Sequence, residues 1–173
     1  LIDVLDSASI FIPHLCYFKG LTPYAGCRTC VVEVQGVRGI SMACTTFVTD
    51  GMVVNTRGET VEELRKASVE LINADHPGRC LDCHRIEHCR QTFVCLRDSV
   101  VTDRCLTCAK NQFCELQMVS EVSEMRGQQR YYDEPSSWYK GHEEVPLRRN
   151  NPFIELDYNK CIICARCVRV CDE

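Results

Sequence analysis

The spacing of its cysteines constrains this chain more than any other feature of the sequence. Fifteen of the 173 residues are cysteines, and several of them are separated by only two intervening residues. Thiols at this spacing converge on one side of a short loop, where they can bind a metal ion or a metal–sulfide cluster. A full set of disulfides is disfavoured, because fifteen thiols cannot all pair. We therefore expect small lobes held together by bound metal rather than one large apolar core.

The first set of cysteines is typical of a cluster of two irons and two sulfides (2Fe–2S). Its spacing is C-x10-C-x2-C-x13-C, and its members are Cys16, Cys27, Cys30 and Cys44. The close pair serves one iron and the two distant thiols serve the other, in a relative of the plant-type ferredoxin pattern. Small neighbours, namely Ala25, Gly26 and Thr29, allow backbone N–H groups to approach the sulfurs. A structural zinc site is the alternative.

The last set follows the C-x2-C-x2-C-x3-C run of bacterial ferredoxins, which bind clusters of four irons and four sulfides (4Fe–4S). Its members are Cys161, Cys164, Cys167 and Cys171. In two-cluster ferredoxins the fourth cysteine of such a run ligates the other cluster. Cys171 therefore either completes this site or serves a second cluster whose other ligands lie beyond Glu173.

The middle cysteines form a repeat. The pentapeptide Arg-Cys-Leu-Asp-Cys at 79–83 returns as Arg-Cys-Leu-Thr-Cys at 104–108, which indicates a duplicated cluster-binding loop. Two distributions of the ligands over two 4Fe–4S clusters are open. The first, which we favour from spacing, places one cluster on His76, Cys80, Cys83 and Cys89 and the other on Cys95, Cys105, Cys108 and Cys114. The second places one cluster on Cys80, Cys83, Cys89 and Cys95, and the other then needs His76, His84, His88 or another ligand.

Hydrophobic periodicity predicts few regular elements around these cysteines. We expect helices over 1–8, 60–73 and 117–126, strands over 31–35, 51–56 and 153–157, and mostly loop over 79–116. A capping box of Thr60 and Glu63 opens the second helix. Its predicted buried positions are Val61, Leu64, Leu71 and Ile72. Four aromatic residues lie close together in the sequence, and we expect them to cover a metal–sulfide cluster or a partner surface: Tyr131, Tyr132, Trp138 and Tyr139.

Charge and motif content argue against several classes of function. The net charge of −4 without a basic tract disfavours nucleic acid, and no apolar run is long enough to span a membrane. No dinucleotide-binding fingerprint, phosphate-binding loop or nucleophile elbow is present, so we expect no catalytic site in this chain itself. A thiol-rich, metal-binding chain is expected in the cytoplasm.

The order of these motifs is similar to that of a known protein region. The segments IPHLCY, AGCRTCVVEV, ACTT, HPGRCLDC, CELQ and NPFIELDYNKCIICARCVRVCDE resemble the N-terminal iron–sulfur region of a family of redox subunits. The family comprises the catalytic subunit of NAD-linked formate dehydrogenase, the large iron–sulfur subunit of complex I, and NAD-linked or electron-bifurcating hydrogenases. The family usually has one H-x3-C-x2-C-x5-C-E-L-Q unit. Here the histidine precedes the first copy of the repeat and Glu115-Leu116-Gln117 follows the second.

The resemblance implies an α+β fold in several parts. A β-grasp 2Fe–2S ferredoxin domain without its N-terminal strands is expected over 1–58. A loop-rich His/Cys 4Fe–4S domain with the duplicated loop is expected over 59–126, a connecting segment over 127–151, and the start of a bacterial-ferredoxin-like domain over 152–173. The implied content is one 2Fe–2S cluster and two to three 4Fe–4S clusters.

The resemblance also implies a function in electron transfer. The chain would relay single electrons between an NADH/flavin-binding iron–sulfur subunit and a molybdopterin, hydrogenase or quinone-linked module. We favour a formate dehydrogenase or hydrogenase over complex I. A zinc-stabilised structural or interaction module is the alternative from another class.

Overall fold

The computed structural model describes residues 1–97, 103–127, 147 and 149–173. It divides the chain into two compact units, one of residues 1–69 with 164–173 and the other of residues 70–163. The unit boundaries fall within a helix and within the last cysteine set, and the predicted domain limits at 58, 126 and 151 stay predictions. The four aromatic residues between 131 and 139, and nearly all of the predicted connecting segment, lie outside the described residues.

The first unit is built on a small antiparallel sheet. Its three strands are β1 (Val31–Val34), β2 (Ile40–Met42) and β3 (Val54–Asn55), in the order β2-β1-β3. Val31 lies opposite Met42, and Val34 lies opposite Val54. The strand predicted over 31–35 is confirmed. The one predicted over 51–56 is shorter, because Gly51 adopts a φ of 76° in a turn before the strand.

Helix α1 (Ile2–Ser7) packs its apolar side against this sheet, as its periodicity predicts. Ile2 and Leu5 are buried in one apolar cluster with Val32 of β1. The same cluster contains the side chains of Cys30 and Cys44, so two candidate metal ligands are part of the core of the first unit.

Helix α2 (Glu59–Asp75) begins one residue before the predicted capping box, so Thr60 lies inside the first turn and the box is wrong. Its buried positions recur every four residues and are Val61, Arg65, Val69 and Asn73. Burial of Val61 is confirmed, whereas Leu64 and Leu71 are exposed. The prediction failed for these leucines because two positions of the buried stripe are occupied by polar residues.

Arg65 is buried because its guanidinium serves backbone carbonyls. It donates hydrogen bonds to the carbonyl oxygens of Thr29 at 3.3 Å, Val31 at 3.0 Å and Thr56 at 3.4 Å. Burial lowers the pKa of this guanidinium. One side chain of α2 thereby fixes the end of the first cysteine loop and the start of β1.

Helix α5 (Arg166–Asp172) also belongs to the first unit. Arg166 donates to the carbonyl oxygen of Tyr17 at 2.7 Å, and Arg169 donates to the carbonyl oxygens of Cys16 and Thr22. The backbone N–H of Thr22 donates to the carboxylate of Glu173 at 2.7 Å. These contacts join α5 to the loop that carries Cys16.

The second unit contains two short helices, α3 (Ile86–Thr92) and α4 (Glu115–Val122), and two 3-10 helices, Cys105–Thr107 and Tyr158–Lys160. Helix α3 corrects the prediction of loop through this region. The predicted strand over 153–157 is wrong, because the N–H groups of Phe153 and Ile154 donate to the side chain of Asn151 in a turn. Asn73 donates to the hydroxyl of Ser120 at 3.1 Å, which ties the end of α2 to α4.

No helix within the described residues combines the length and the hydropathy that a membrane span requires.

Replacing Arg65 by methionine removes the donors of three buried carbonyl groups while keeping most of the side-chain volume. We expect the free energy of unfolding to fall by about 2–4 kcal/mol, since unpaired buried polar groups are costly. Urea unfolding of the metal-loaded protein measures the change. The exposed Arg57→Met is the matched control and should change stability by less than about 0.5 kcal/mol. Equal stabilities of the two variants would contradict the role of Arg65.

Candidate metal centres

Cys16 and Cys27 form a close thiol pair in the first unit. The N–H of Cys16 donates to Sγ of Cys27 at 3.4 Å, and the N–H of Cys27 donates to Sγ of Cys16 at 3.5 Å. The thiol of Cys16 hydrogen-bonds to the sulfur of Cys27, and this lowers the pKa of Cys27 to about 4. The same hydrogen bond, together with burial, raises the pKa of Cys16. The buried hydroxyl of Thr29 lies 3.2 Å from Sγ of Cys27.

Cys30 and Cys44 form the second pair of the first set. A hydrogen bond from Cys30 lowers the pKa of Cys44 to about 7, and the shared proton raises the pKa of Cys30. The charge of Cys27 also acts on both of these thiols. The two pairs are therefore neighbours, and the structure brings all four cysteines of the first set together.

Backbone geometry explains how the loop between the pairs reaches the sulfurs. The backbone at Ala25 favours the thiolate of Cys44, and the backbone at Gly26 favours the thiolate of Cys16, since each acts to lower the pKa of that thiol. Ala25 and Arg28 have φ angles of 54° and 55°, in the left-handed region, so the chain reverses on either side of Cys27. A Cβ on Gly26 would stand 2.1 Å from the ring of Tyr24, which leaves room only for glycine while the ring holds this position.

In the second unit, the two copies of the repeat meet through their first cysteines. The N–H of Cys105 donates to Sγ of Cys80 at 3.3 Å. A hydrogen bond from the thiol of Cys105 lowers the pKa of Cys80 to about 6, and the same bond and burial raise the pKa of Cys105. The side chain of Gln117 in α4 favours the thiolate of Cys105, and the charge of Cys114 acts against it.

A cavity in the second unit is lined by thiols from both copies of the repeat: Cys80, Cys83, Cys89, Cys95 and Cys105. Three arginines line it as well, namely Arg85, Arg90 and Arg97. Arginine side chains near thiolates reduce the electrostatic cost of collecting negative charge in one place.

The histidines of this region differ in position. The imidazole of His76 accepts a hydrogen bond at Nδ1 from the N–H of Gly78 at 3.0 Å. His84 and His88 are exposed, and the side chain of Arg85 donates to Nε2 of His84 at 3.2 Å. None of the three histidines lines the thiol cavity.

The last cysteine set lies on a loop and a helix. Cys161 follows the 3-10 helix Tyr158–Lys160, and the N–H of Ile163 donates to its sulfur at 3.4 Å. Ile163 and Ala165 have φ angles of 55° and 57°, so left-handed residues again stand between closely spaced cysteines. Cys167 and Cys171 lie on α5, one helical turn apart.

The first donor set fits an iron–sulfur cluster. All fifteen cysteines are free thiols. The first set offers sulfurs in adjacent pairs, with the N–H groups of Cys16 and Cys27 and the hydroxyl of Thr29 beside them, which is an environment that bridged clusters use. The ligand distribution over the middle cysteines stays a prediction at this point.

Sequence reasoning did not find several residues that shape these sites. Arg65 could have been recognised as an arginine spaced four residues from Val61 and from Val69 on the buried stripe. The arginines of the thiol cavity and the contact between His76 and Gly78 depend on how the loops fold, and the sequence carries no signal for them.

A family model describes the first part of the chain. Residues 1–59 match a 2Fe-2S iron-sulfur cluster binding domain. This range contains the whole first cysteine set and the sheet, so the chain begins with a 2Fe–2S ferredoxin-like domain in a small mixed α/β fold.

Curated relatives match nearly the whole chain. A component of the NADH-quinone oxidoreductase of Rhizobium meliloti (strain 1021) is 35% identical over 169 residues, which are 97% of this chain and 16% of the relative. The HndD component of the NADP-reducing hydrogenase of Solidesulfovibrio fructosivorans is 34% identical over 178 residues, which are 99% of this chain and 25% of the relative. The chain thus spans a quarter or less of the length of these relatives.

One solved structure shares the fold. The crystal structure of NAD+-reducing [NiFe]-hydrogenase in the H2-reduced state aligns with a TM-score of 0.64 at 23% identity, over 97% of this chain and 57% of that one. The relatives also include a protein of Staphylococcus aureus (strain USA300) provisionally named a formate dehydrogenase. The predicted resemblance to the iron–sulfur region of complex I, hydrogenase and formate dehydrogenase subunits is confirmed.

Replacing Thr29 by valine removes the hydroxyl that contacts the sulfur of Cys27. We expect the reduction potential of the 2Fe–2S cluster to fall by about 20–60 mV, because one hydrogen bond of about 0.5–1.5 kcal/mol no longer stabilises the more negative reduced state. Redox titration followed by electron paramagnetic resonance (EPR) measures the shift. Thr45→Val, at an exposed threonine that bonds a carbonyl instead, is the control. If the Thr29→Val and Thr45→Val variants have the same 2Fe–2S reduction potential, the contact between Thr29 and Cys27 does not tune that potential.

Proposed function

We propose that this chain relays single electrons through a series of iron–sulfur clusters within an NADH-linked oxidoreductase. The 2Fe–2S cluster is held by Cys16, Cys27, Cys30 and Cys44, and 4Fe–4S clusters are held by the middle and last cysteine sets. The clusters supply the one-electron redox chemistry. The chain supplies ligands, excludes water and sets the potentials.

The arrangement of the first set carries this proposal. Two of its four thiols, Cys16 and Cys30, are fully buried. The N–H groups of Cys16 and Cys27 and the hydroxyl of Thr29 contact sulfurs of the set. Donors directed at sulfur stabilise the reduced, more negative cluster and so tune its potential.

The relatives support a proposal for the partners. Their names join NADH or NADP to quinone or to a hydrogenase activity. We therefore place the chain between a subunit that oxidises or reduces a nicotinamide nucleotide through a flavin and a module that acts on a second substrate. A flavin can exchange two electrons with the nucleotide and single electrons with the clusters. We place this assembly in the cytoplasm, where thiols stay reduced.

A hydrogenase or formate dehydrogenase is the module that we favour. The duplicated middle loop, which the sequence pattern sets apart from the single unit usual in the family, supports this choice over complex I. A quinone-linked module is the second candidate, and it is favoured by the 35% identity to the Rhizobium meliloti protein.

Metal analysis of the protein purified without oxygen tests the cluster content. We expect a brown protein in which residues 1–173 account for about fourteen irons, from one two-iron and three four-iron clusters. Iron and acid-labile sulfide assays give the numbers, and EPR after dithionite reduction separates the cluster types. A colourless protein with zinc in stoichiometric amount would refute the proposal and support a structural module.

Addition of NADH tests whether the clusters of this protein receive electrons from a nicotinamide nucleotide. In the intact complex, NADH alone should produce the same reduced cluster signals as dithionite, apart from clusters of very low potential. A Cys27→Ser variant should lose the 2Fe–2S signal while the 4Fe–4S signals stay visible with dithionite. An intact complex in which neither NADH nor NADPH produces any of the cluster signals that dithionite produces would contradict a nucleotide-linked relay.

A further inference from the structure

The middle cysteines offer two ways to divide their ligands, and the structure distinguishes between them. We infer that Cys80, Cys83, Cys89 and Cys95 form one four-thiolate centre, and that His76 belongs with Cys105, Cys108 and Cys114 in a separate centre. This inference rests on the proposed function, since it assigns the ligands of clusters proposed there. It reverses the distribution that spacing alone favours.

The thiol cavity is the first observation. All four cysteines of the inferred centre line it, although they are spread over 16 residues from the start of the first copy of the repeat to beyond α3. Of the second group, Cys105 also lines this cavity as a fifth thiol, whereas Cys108, Cys114 and His76 do not line it. A distribution that placed His76 on a cluster with Cys80, Cys83 and Cys89 would need the imidazole at this cavity.

The position of His76 is the second, independent observation. Residue 78 is glycine, and a Cβ there would lie 2.9 Å from Nδ1 of His76 and 3.7 Å from Sγ of Cys105. The imidazole and the Cys105 sulfur thus flank one small space that the missing side chain leaves open. The histidine therefore stands beside the first cysteine of the second copy.

Elements of the second copy support a centre of its own. Cys105, in the 3-10 helix Cys105–Thr107, and Cys114, directly before α4, interact electrostatically. Gln117 fixes the loop between Cys108 and Cys114. Its Oε1 accepts from the N–H of Gln112 at 3.1 Å, and its Nε2 donates to Asn111 at 3.1 Å. Its contact with Cys105 joins this loop to the ligand beside His76.

The positions of nearby arginine side chains agree with the same division of the ligands. A centre with four thiolates carries one more negative charge than a centre with three thiolates and a neutral imidazole. The thiol cavity, which all four cysteines of the first centre line, is also lined by Arg85, Arg90 and Arg97. Arg90 is paired as well to Glu87 at 3.1 Å and to Glu121 at 3.2 Å. The contact between Cys80 and Cys105 makes the two inferred centres direct neighbours.

Single substitutions in the whole polypeptide, purified without oxygen, test the division. The dithionite-reduced EPR spectrum of each variant is subtracted from that of the parent, which identifies the lost or altered signal. We expect Cys95→Ser to alter the same signal as Cys83→Ser, and His76→Ala to alter the same signal as Cys108→Ser. Each affected site should lose up to about four irons. The exposed His88→Ala is the matched control and should leave both signals unchanged.

The opposite pairing would overturn the inference, namely Cys95→Ser with Cys108→Ser and His76→Ala with Cys83→Ser. An unchanged spectrum of Cys95→Ser or of His76→Ala would overturn it as well. The 2Fe–2S signal of each variant serves as the folding check. If His76→Ala loses the 2Fe–2S signal, the variant His76→Cys is used in its place. His76→Cys should retain the 4Fe–4S signal that Cys108→Ser alters, but with a lower reduction potential, because a thiolate replaces a neutral imidazole. A parent protein without iron would instead refute the proposed function, so the two failures are distinguishable.

Discussion

Thiolates that are gathered at one place repel each other, and the first unit is organised around this electrostatic cost. In the low-dielectric interior of a protein, such repulsion is several times stronger than in water. The structure offsets it with backbone N–H groups, with the hydroxyl of Thr29, and with protons shared between the sulfurs of each pair. Metal binding replaces the shared protons, which couples the folding of this loop to its cofactor.

Arg65 connects the first cysteine set to the surrounding fold by hydrogen bonds to backbone carbonyl groups. Two carbonyl groups close to the cysteine loop are buried, one at Thr29 within the loop and one at Val31, the first residue of β1. A buried guanidinium satisfies both at once from the neighbouring helix. The positive charge also lies close to Cys30, whose thiolate it favours. One residue therefore contributes to the fold and to the electrostatics of the centre.

The sequence predicts the elements that follow from local pattern, and misses those that depend on polar contacts. β1 and α1 follow from alternation and period, and residues 1–59 follow from cysteine spacing. The buried side of α2 was misjudged because Arg65 and Asn73 take positions that hydrophobicity assigns to leucine. Helix α3 was missed because its only buried residues are Ile86 and Cys89, which give no apolar stripe. The candidate sites could be predicted only in part for a related reason. The spacing of cysteines gives their separation along the sequence, but not the distance in space between residues on different loops. Cys80 and Cys105 are 25 positions apart and lie in contact, whereas His76 precedes Cys80 by four positions and lies beside Cys105.

The left-handed backbone at Ile163 combines local strain with a contact to a candidate ligand. A branched side chain in this conformation costs about 1–2 kcal/mol, and the same backbone places the N–H of Ile163 3.4 Å from the sulfur of Cys161. Glycine would adopt this backbone without that cost. The position of the N–H group beside the sulfur is therefore maintained at the expense of local stability.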